Sequence, residues 1–268
     1  MLKKILKIFL NLFWGRRFLQ NFYFLLNWFA LRGMNYGGGS SFEESGEINA
    51  LARIANQFKG VRFVMFDVGA NVGHYASLAA SVVEKLGNHA FIYSFEPARA
   101  TFLELEKNTA SLKNVRRFNL AFHNKTENLI LYSDTRLSGL ASVYERNLSF
   151  VSAQMSLKEE VQAIRLDDFC ASHAISRINF LKLDVEGNEL KVLEGAGELL
   201  KKGLIDNIQF EFGGANIDSR TYFKDFYYLL KSRYDIYRIL PKNLEPISNY
   251  NERLEIFFTV NYLAKLKT

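Results

Sequence analysis

The chain has one cysteine, Cys170, in 268 residues, which excludes an intrachain disulfide framework and any multi-cysteine zinc site. That usage fits a reducing compartment better than a stapled secreted domain. Three prolines and seventeen glycines exclude collagen-like and low-complexity character. Four histidines show no ligand-like spacing, so a histidine metal site is not expected. Acid is missing altogether from residues 1–32, which hold Lys3, Lys4, Lys7, Arg16, Arg17 and Arg32 and so carry the entire net charge of +6. The remaining basic and acidic residues cancel, so the basic balance is poor evidence for nucleic acid.

What is present is the composition of an ordinary globular protein, 49% hydrophobic and 23% charged. The length suits one large domain with a small appendage. The appendage is residues 1–46. Its first 32 residues hold both tryptophans and nine of the 39 aromatics, yet their longest uncharged run, Phe18 to Leu31, is fourteen residues. A bilayer span needs roughly 20. Lys7 breaks the apolar core that a secretory signal requires, and no small-residue cleavage step follows Arg16-Arg17. Basic residues among Trp, Phe and Leu at helical density suggest a helix in a membrane interface. The alternative is a helical hairpin packed on the main domain or on a second subunit. The expected location is cytoplasmic, or peripheral on the inner face of the membrane.

Gly37-Gly38-Gly39-Ser40-Ser41 reads as a connector, and Ile48, Leu51, Ile54, Ala55 and Phe58 predict a packing helix that opens a main domain over 47–268. From there short apolar runs alternate with helical patterns. Strands are predicted at 62–67, 90–95, 115–120, 178–184 and 207–211, with extra strands at 129–132 and 161–166. Helices fill the intervals to about 86, at 98–110, to about 202 and at 219–233. Two more β-rich runs, 235–240 and 254–262, imply an antiparallel hairpin closing a mostly parallel sheet. The alternation predicts an α/β fold of the Rossmann-like kind.

Ligands of such sheets bind beyond the carboxyl ends of the strands, and acids stand there four times: Asp67, Glu96, Asp184 and Glu211. The first loop is Asp67-Val68-Gly69-Ala70-Asn71-Val72-Gly73-His74. A dinucleotide loop would read Gly-x-Gly-x-x-Gly, whereas here the spacing is Gly69-x-x-x-Gly73 with an acid two residues before it. A carboxylate there suits an ammonium or sulfonium ligand better than pyrophosphate, and Glu96 is placed to bind a ribose diol. The loop therefore favours S-adenosylmethionine over NAD(P).

Asp-Val-Gly-Ala-Asn-Val-Gly at 67–73, Phe-Glu-Pro at 95–97, Leu-Asp-Asp at 166–168 and Lys-Leu-Asp-Val-Glu-Gly-Asn-Glu at 182–189 occur in that order. This resembles the FkbM family of S-adenosylmethionine-dependent methyltransferases over roughly 47–262. The resemblance implies a class I methyltransferase sheet of seven main strands, and O-methylation, often of sugar hydroxyls or polyketide-type products. It implies that Gly69, Asn71 and Gly73 line the methionine end of the cofactor. Asp67 would face its amino group, Glu96 its ribose, and Ala121 and Phe122 would lie near adenine.

Lys182 and Asp184 share a strand face, and an interior lysine needs a partner, for which Asp184, Glu186 and Glu211 are available. These acids either fix the loop as an ion-pair network or accept the proton of the acceptor hydroxyl. His74 is another candidate base, which a helix N-terminus would hold toward its neutral form. Asp184, Glu186 and Glu211 could hold a magnesium-type ion through oxygen, as in some O-methyltransferases, although no metal is expected. Asp167 and Asp168 are read as caps of the following helix. The expected acceptor is a sugar, glycan or glycolipid precursor, and a homo-oligomer is possible on the same N-terminal segment. Rival readings are a nucleotide-dependent oxidoreductase or epimerase, and a non-catalytic cofactor-binding module.

Overall fold

Strand β1, Arg62–Val68, turns Val64, Phe66 and Val68 to one side and Phe63, Met65 and Asp67 to the other. The two apolar sets join separate core clusters, so β1 is the buried axis of a sheet covered on both faces. The structure is a computed structural model that describes residues 13–38, 42, 44–85, 87 and 89–267. Lys3, Lys4 and Lys7, the connector residues Gly39, Ser40 and Ser41, and the expected helix end at Leu86 lie outside the described residues.

In chain order, helix α1 (Gln20–Gly33) and helix α2 (Glu47–Gln57) precede β1, and α3 (His74–Lys85) follows it. Next come β2 (His89–Phe95), α4 (Arg99–Asn108), β3 (Val115–Phe118), β4 (Ala121–Phe122), β5 (Glu127–Ser133) and β6 (Leu157–Ile164). The chain continues through α5 (Leu166–Ser172), β7 (Phe180–Leu183), α6 (Glu189–Gly195), α7 (Gly197–Lys202) and β8 (Asn207–Phe212). It closes with α8 (Ala215–Ser219), α9 (Phe223–Leu230), β9 (Tyr234–Ile239), β10 (Leu244–Pro246) and β11 (Val260–Leu266).

The main sheet runs β10-β9-β11-β8-β7-β1-β2-β3. The five strands from β8 to β3 are mutually parallel, and β11 is antiparallel to both β8 and β9. The seven expected strands thus gain an eighth, the three-residue edge strand β10, which pairs with the end of β9. The two extra strands join the short β4 in a separate sheet, β4-β6-β5. Helices α2 and α3 cover one face through Leu51, Ile54, Tyr75 and Val83. Helices α5, α6, α7 and α9 cover the other, through residues such as Phe169, Val192, Leu199 and Phe226.

Several boundaries differ from the sequence expectation. The last strand starts at Val260 rather than Leu254, because a 3-10 turn occupies 252–254. The expected helix 219–233 divides into α8 and α9, with Arg220 left-handed at φ 55° between them. The helix expected at 98–110 is α4, which starts at Arg99 with Ala98 as its N-cap and ends at Asn108. Leu166 opens α5 instead of ending β6, and Asp167 caps a different helix. Its carboxylate accepts from the backbone N–H of Glu198 at 3.0 Å and Leu199 at 3.1 Å, at the start of α7. Helix ends close in space compete for the same acid, and spacing along the chain does not reveal which one wins.

Candidate active site

Gly69 follows β1 at φ +81°, and its N–H donates to the Phe95 carbonyl at 3.0 Å. The turn places Asn71, at φ 48°, so that its backbone N–H donates to Glu96 Oε2 at 3.0 Å. The Ala98 N–H donates to Glu96 Oε1 at 3.0 Å. Two backbone donors thus fix the Glu96 carboxylate at the carboxyl end of β2. Burial pushes its pKa up to about 7, against the lowering effect of those two hydrogen bonds.

These groups border a cavity of about 460 Å³ at the carboxyl ends of β1, β2, β7 and β8. That volume is within the range of small-molecule sites. Gly69, Asn71, His74, Glu96, Ala121, Phe122, Lys182, Asp184, Glu186 and Glu211 all line it. His74 is the exposed first residue of α3, at the mouth. Phe122 is buried and packs edge-on to Phe95 at 4.6 Å between ring centres.

Asp67 and Gly73 do not line the cavity. Strand alternation puts Asp67 on the face shared with Phe63 and Met65, where it is fully buried beside Lys182. The register pairs Asp67 with Lys182 and Lys182 with Gln209, so a polar row crosses the buried sheet. Gly73 is needed for packing: a Cβ there would come within 2.8 Å of Leu105 on α4 and of Thr109 at its C-cap. Gly69 serves a close approach of protein to protein, because its Cβ would meet the Asp184 carbonyl.

Lys182 is 1% exposed, with Nζ 2.9 Å from Asp184 Oδ2 and 3.7 Å from Asp67 Oδ1. It also lies 4.7 Å above the Tyr75 ring and 5.7 Å from that of Phe42, both favourable for a cation. Burial opposes its charge, but Asp184, Asp67 and Glu47 outweigh burial and hold it protonated, above the ordinary lysine range. Asp67 is fully buried with neither oxygen hydrogen-bonded, and burial pushes its pKa up to about 6 despite Lys182.

Glu47 completes this cluster and was not legible in the motifs. It begins α2, is buried, and accepts from Ser45 Oγ at 2.8 Å and Gln209 Nε2 at 2.6 Å. Burial pushes its pKa up to about 7. Tyr75 donates to Gln209 Oε1 at 3.4 Å. No spacing rule joins residues 47, 75 and 209; the only sequence signal was an acid at the start of an amphipathic helix.

At the other wall, the nearest oxygens of Asp184, Glu186 and Glu211 lie within 4.8 Å of one another. Glu186 is a non-glycine residue at φ 50°, a conformation that persists only when its surroundings enforce it. Here Arg146 does so, with Nη1 2.5 Å from Glu186 Oε2 and Nε 3.4 Å from Asp218 Oδ2. Burial and the Asp184 charge push Glu186 up to about 7, and burial with the same neighbours raises Glu211 well above the carboxylate range. Such spacing resembles a cation site, but Lys182 and Arg146 already pair two of the three acids. Glu189, by contrast, is a loop brace: it accepts from the N–H groups of Val185 at 2.8 Å and Gly187 at 3.0 Å. Asn188 donates to the Phe122 carbonyl at 2.9 Å and so ties this loop to β4 at the cavity wall.

The residues present fit S-adenosylmethionine. A doubly anchored carboxylate suits a ribose diol, an apolar slot at 121–122 suits a base, and an acid-rich rim suits a cationic donor. Residues 67–237 match the family model described as the methyltransferase FkbM domain. A protein named Methyltransferase 1 from Beauveria bassiana (strain ARSEF 2860) is 28% identical over 171 residues, covering 58% of this chain and 66% of that protein. The solved FkbM methyltransferase of Methylobacillus flagellatus KT aligns at 16% identity and TM-score 0.45, over 75% of this chain and 43% of that one. The Methanococcus jannaschii fibrillarin pre-rRNA processing protein aligns at 12% identity and TM-score 0.45, over 84% and 76% of the two chains. With a family match spanning well over half its length, the chain belongs to the FkbM family of methyltransferases, and its cofactor is S-adenosylmethionine.

Proposed function

We propose that this protein methylates a hydroxyl group of a sugar, glycan or glycolipid precursor. The observation that carries the reading is the trio of carboxylates Asp184, Glu186 and Glu211 on the wall of the cavity that also contains Glu96. When bound, S-adenosylmethionine supplies an electrophilic methyl group on a positively charged sulfur. The protein's part is alignment, exclusion of water and removal of one proton.

Glu96 orients the ribose, and Gly69 and Asn71 border the methionine end. The carboxylates accept hydrogen bonds from a polyhydroxylated acceptor, and one of them takes the proton as the O–H bond breaks and the O–CH₃ bond forms. Crowding and burial place Glu186 near neutrality, where a carboxylate is an effective general base.

The test is transfer of labelled methyl from S-adenosylmethionine to a panel of saccharides and lipid-linked saccharides. An ether survives mild alkali and an ester does not. Label stable to alkali in the saccharide fraction supports the reading; alkali-labile label, or label on nitrogen, overturns it.

The cofactor assignment carries its own prediction. Glu96→Ala removes charged hydrogen bonds worth about 1.5–3 kcal/mol, so calorimetry should show S-adenosylhomocysteine binding weakened roughly 10- to 100-fold. Because the Glu96 pKa lies near 7, its charge is lost as pH falls through that value. Wild-type affinity should therefore drop between about pH 8 and about pH 6, and Glu96→Gln should flatten that part of the profile. An unchanged affinity in Glu96→Ala would remove the ribose role.

A further inference from the structure

Helix α1 is exposed over most of its surface. Only Leu31 is buried, while Phe24 and Phe29 are each 71% exposed and Trp28 is 55% exposed. At 100° per residue, Phe22, Leu25, Leu26 and Phe29 lie on one side, Phe24 and Trp28 on a second, and Tyr23 on a third. A helix apolar around most of its girth has no seam for a single partner helix, which would cover one stripe. Water is a poor surrounding for it. An acyl–headgroup boundary accepts all of these side chains at once, with Trp and Tyr at the polar level. No described helix is long and apolar enough to cross a membrane.

Charge identifies the kind of surface. Residues 1–32 carry six basic residues and no acid, and the rest of the chain is neutral in sum. Such a segment is complementary to anionic lipid headgroups.

The anchorage of α1 is specific. Its last turn leads into Asn35, whose Nδ2 donates to the Ser45 and Ile239 carbonyls, both at 2.9 Å. Tyr36 is buried, its hydroxyl accepting from Arg238 Nη1 at 2.9 Å. The Gly37 N–H donates to the Thr259 carbonyl at 2.8 Å. Thr259 packs against Gly213, just beyond β8, the strand that carries Glu211. Phe42, a few residues on, lines the cavity. The helix is therefore rooted on the same edge of the sheet as the carboxylates.

We propose that α1, with the basic residues around it, docks the protein on an anionic lipid bilayer and turns the carboxylate-lined cavity toward an acceptor carried in that membrane. The docking stands by itself; the lipid-borne acceptor rests on the hydroxyl-methylation reading given above.

Flotation of the full chain with phosphatidylcholine vesicles, with and without phosphatidylglycerol, tests it. The expected result is flotation with the anionic vesicles, weakened when salt is raised from about 0.1 M to about 1 M and the screening length falls from about 10 Å to about 3 Å. The triple variant Phe24→Ser, Trp28→Ser, Phe29→Ser should partition at least roughly tenfold less, while still binding S-adenosylhomocysteine. Wild-type protein that stays down with both vesicle types overturns the proposal, and so does a variant that floats like wild type. A wild-type dimer that the triple variant turns into a monomer, without flotation, assigns the surface to a second copy and also overturns it. The salt and headgroup arms need no variant. Methyl transfer is read separately: flotation without any hydroxyl methylation defeats the acceptor reading and leaves the docking intact.

Discussion

Lys182→Met is expected to destabilise the protein by about 3–5 kcal/mol, the usual cost of removing one partner of a buried ion pair. At roughly 2–4 °C per kcal/mol for a chain of this size, the midpoint of thermal unfolding should fall by roughly 6–20 °C. The reason is Asp67. It is fully buried without a hydrogen bond, and Lys182 supplies the nearest positive charge. The effect should depend on pH. Burial raises the folded pKa of Asp67 to about 6, above its ordinary value of 3.8. The native state therefore holds a proton that the unfolded chain releases, and stability falls as pH rises through that window. Without Lys182 the folded pKa climbs further and the loss extends to higher pH. The deficit of the variant should be larger at about pH 8 than at about pH 5. Adding Asp67→Asn should restore most of the stability, since it removes the charge left unpaired. Equal deficits at both pH values, read by denaturant unfolding, would show that Asp67 is not the group responsible.

Gly69→Ala is expected to be of similar size for a different reason. The residue sits at φ +81°, and a Cβ would lie 1.8 Å from the Asp184 carbonyl oxygen. Both sides of that contact are backbone, so no side-chain rotation relieves it. Left-handed strain costs about 1–3 kcal/mol and overpacking about 1–3 more, giving a fall in melting temperature of roughly 5–20 °C. Gly60 is the control. It has nearly the same dihedral, φ +78°, but nothing within 4 Å of its Cβ position, so Gly60→Ala reads the dihedral cost alone. If the two variants melt together, close approach of the two loops is not what requires glycine at 69. If Gly69→Ala folds, its cofactor affinity should still fall, because the displaced turn carries the Asn71 N–H that holds Glu96.

Much of the site was legible because its chemistry is local. Asp67, Glu96, Asp184 and Glu211 end short apolar runs, and in an alternating α/β chain strand ends meet on one edge of the sheet. The positive-φ glycines and the order of the motifs were visible for the same reason. Period-two alternation also placed Lys182 with Asp184, and the structure joins them at 2.9 Å.

The rest depended on distances that no spacing encodes. That Asp67 is buried beside Lys182 is set by the register of β1 against β7, a pairing of residues more than a hundred positions apart. Asp167 could cap its own helix or another, and the packing of α5 beside α7 chose the other. Glu47, Tyr75 and Gln209 form one buried network from a helix, a second helix and a strand. Burial also decides which acids titrate near neutral pH, because the desolvation that lifts Glu96 and Glu186 to about 7 exists only once the chain has closed around them. The sequence by itself determined the family, the cofactor and the sheet edge on which the acids gather, since these follow from residue type and local order. Only the tertiary structure decided which carboxylate lines the cavity, which pairs with lysine and which braces a loop, since those follow from long-range register and burial.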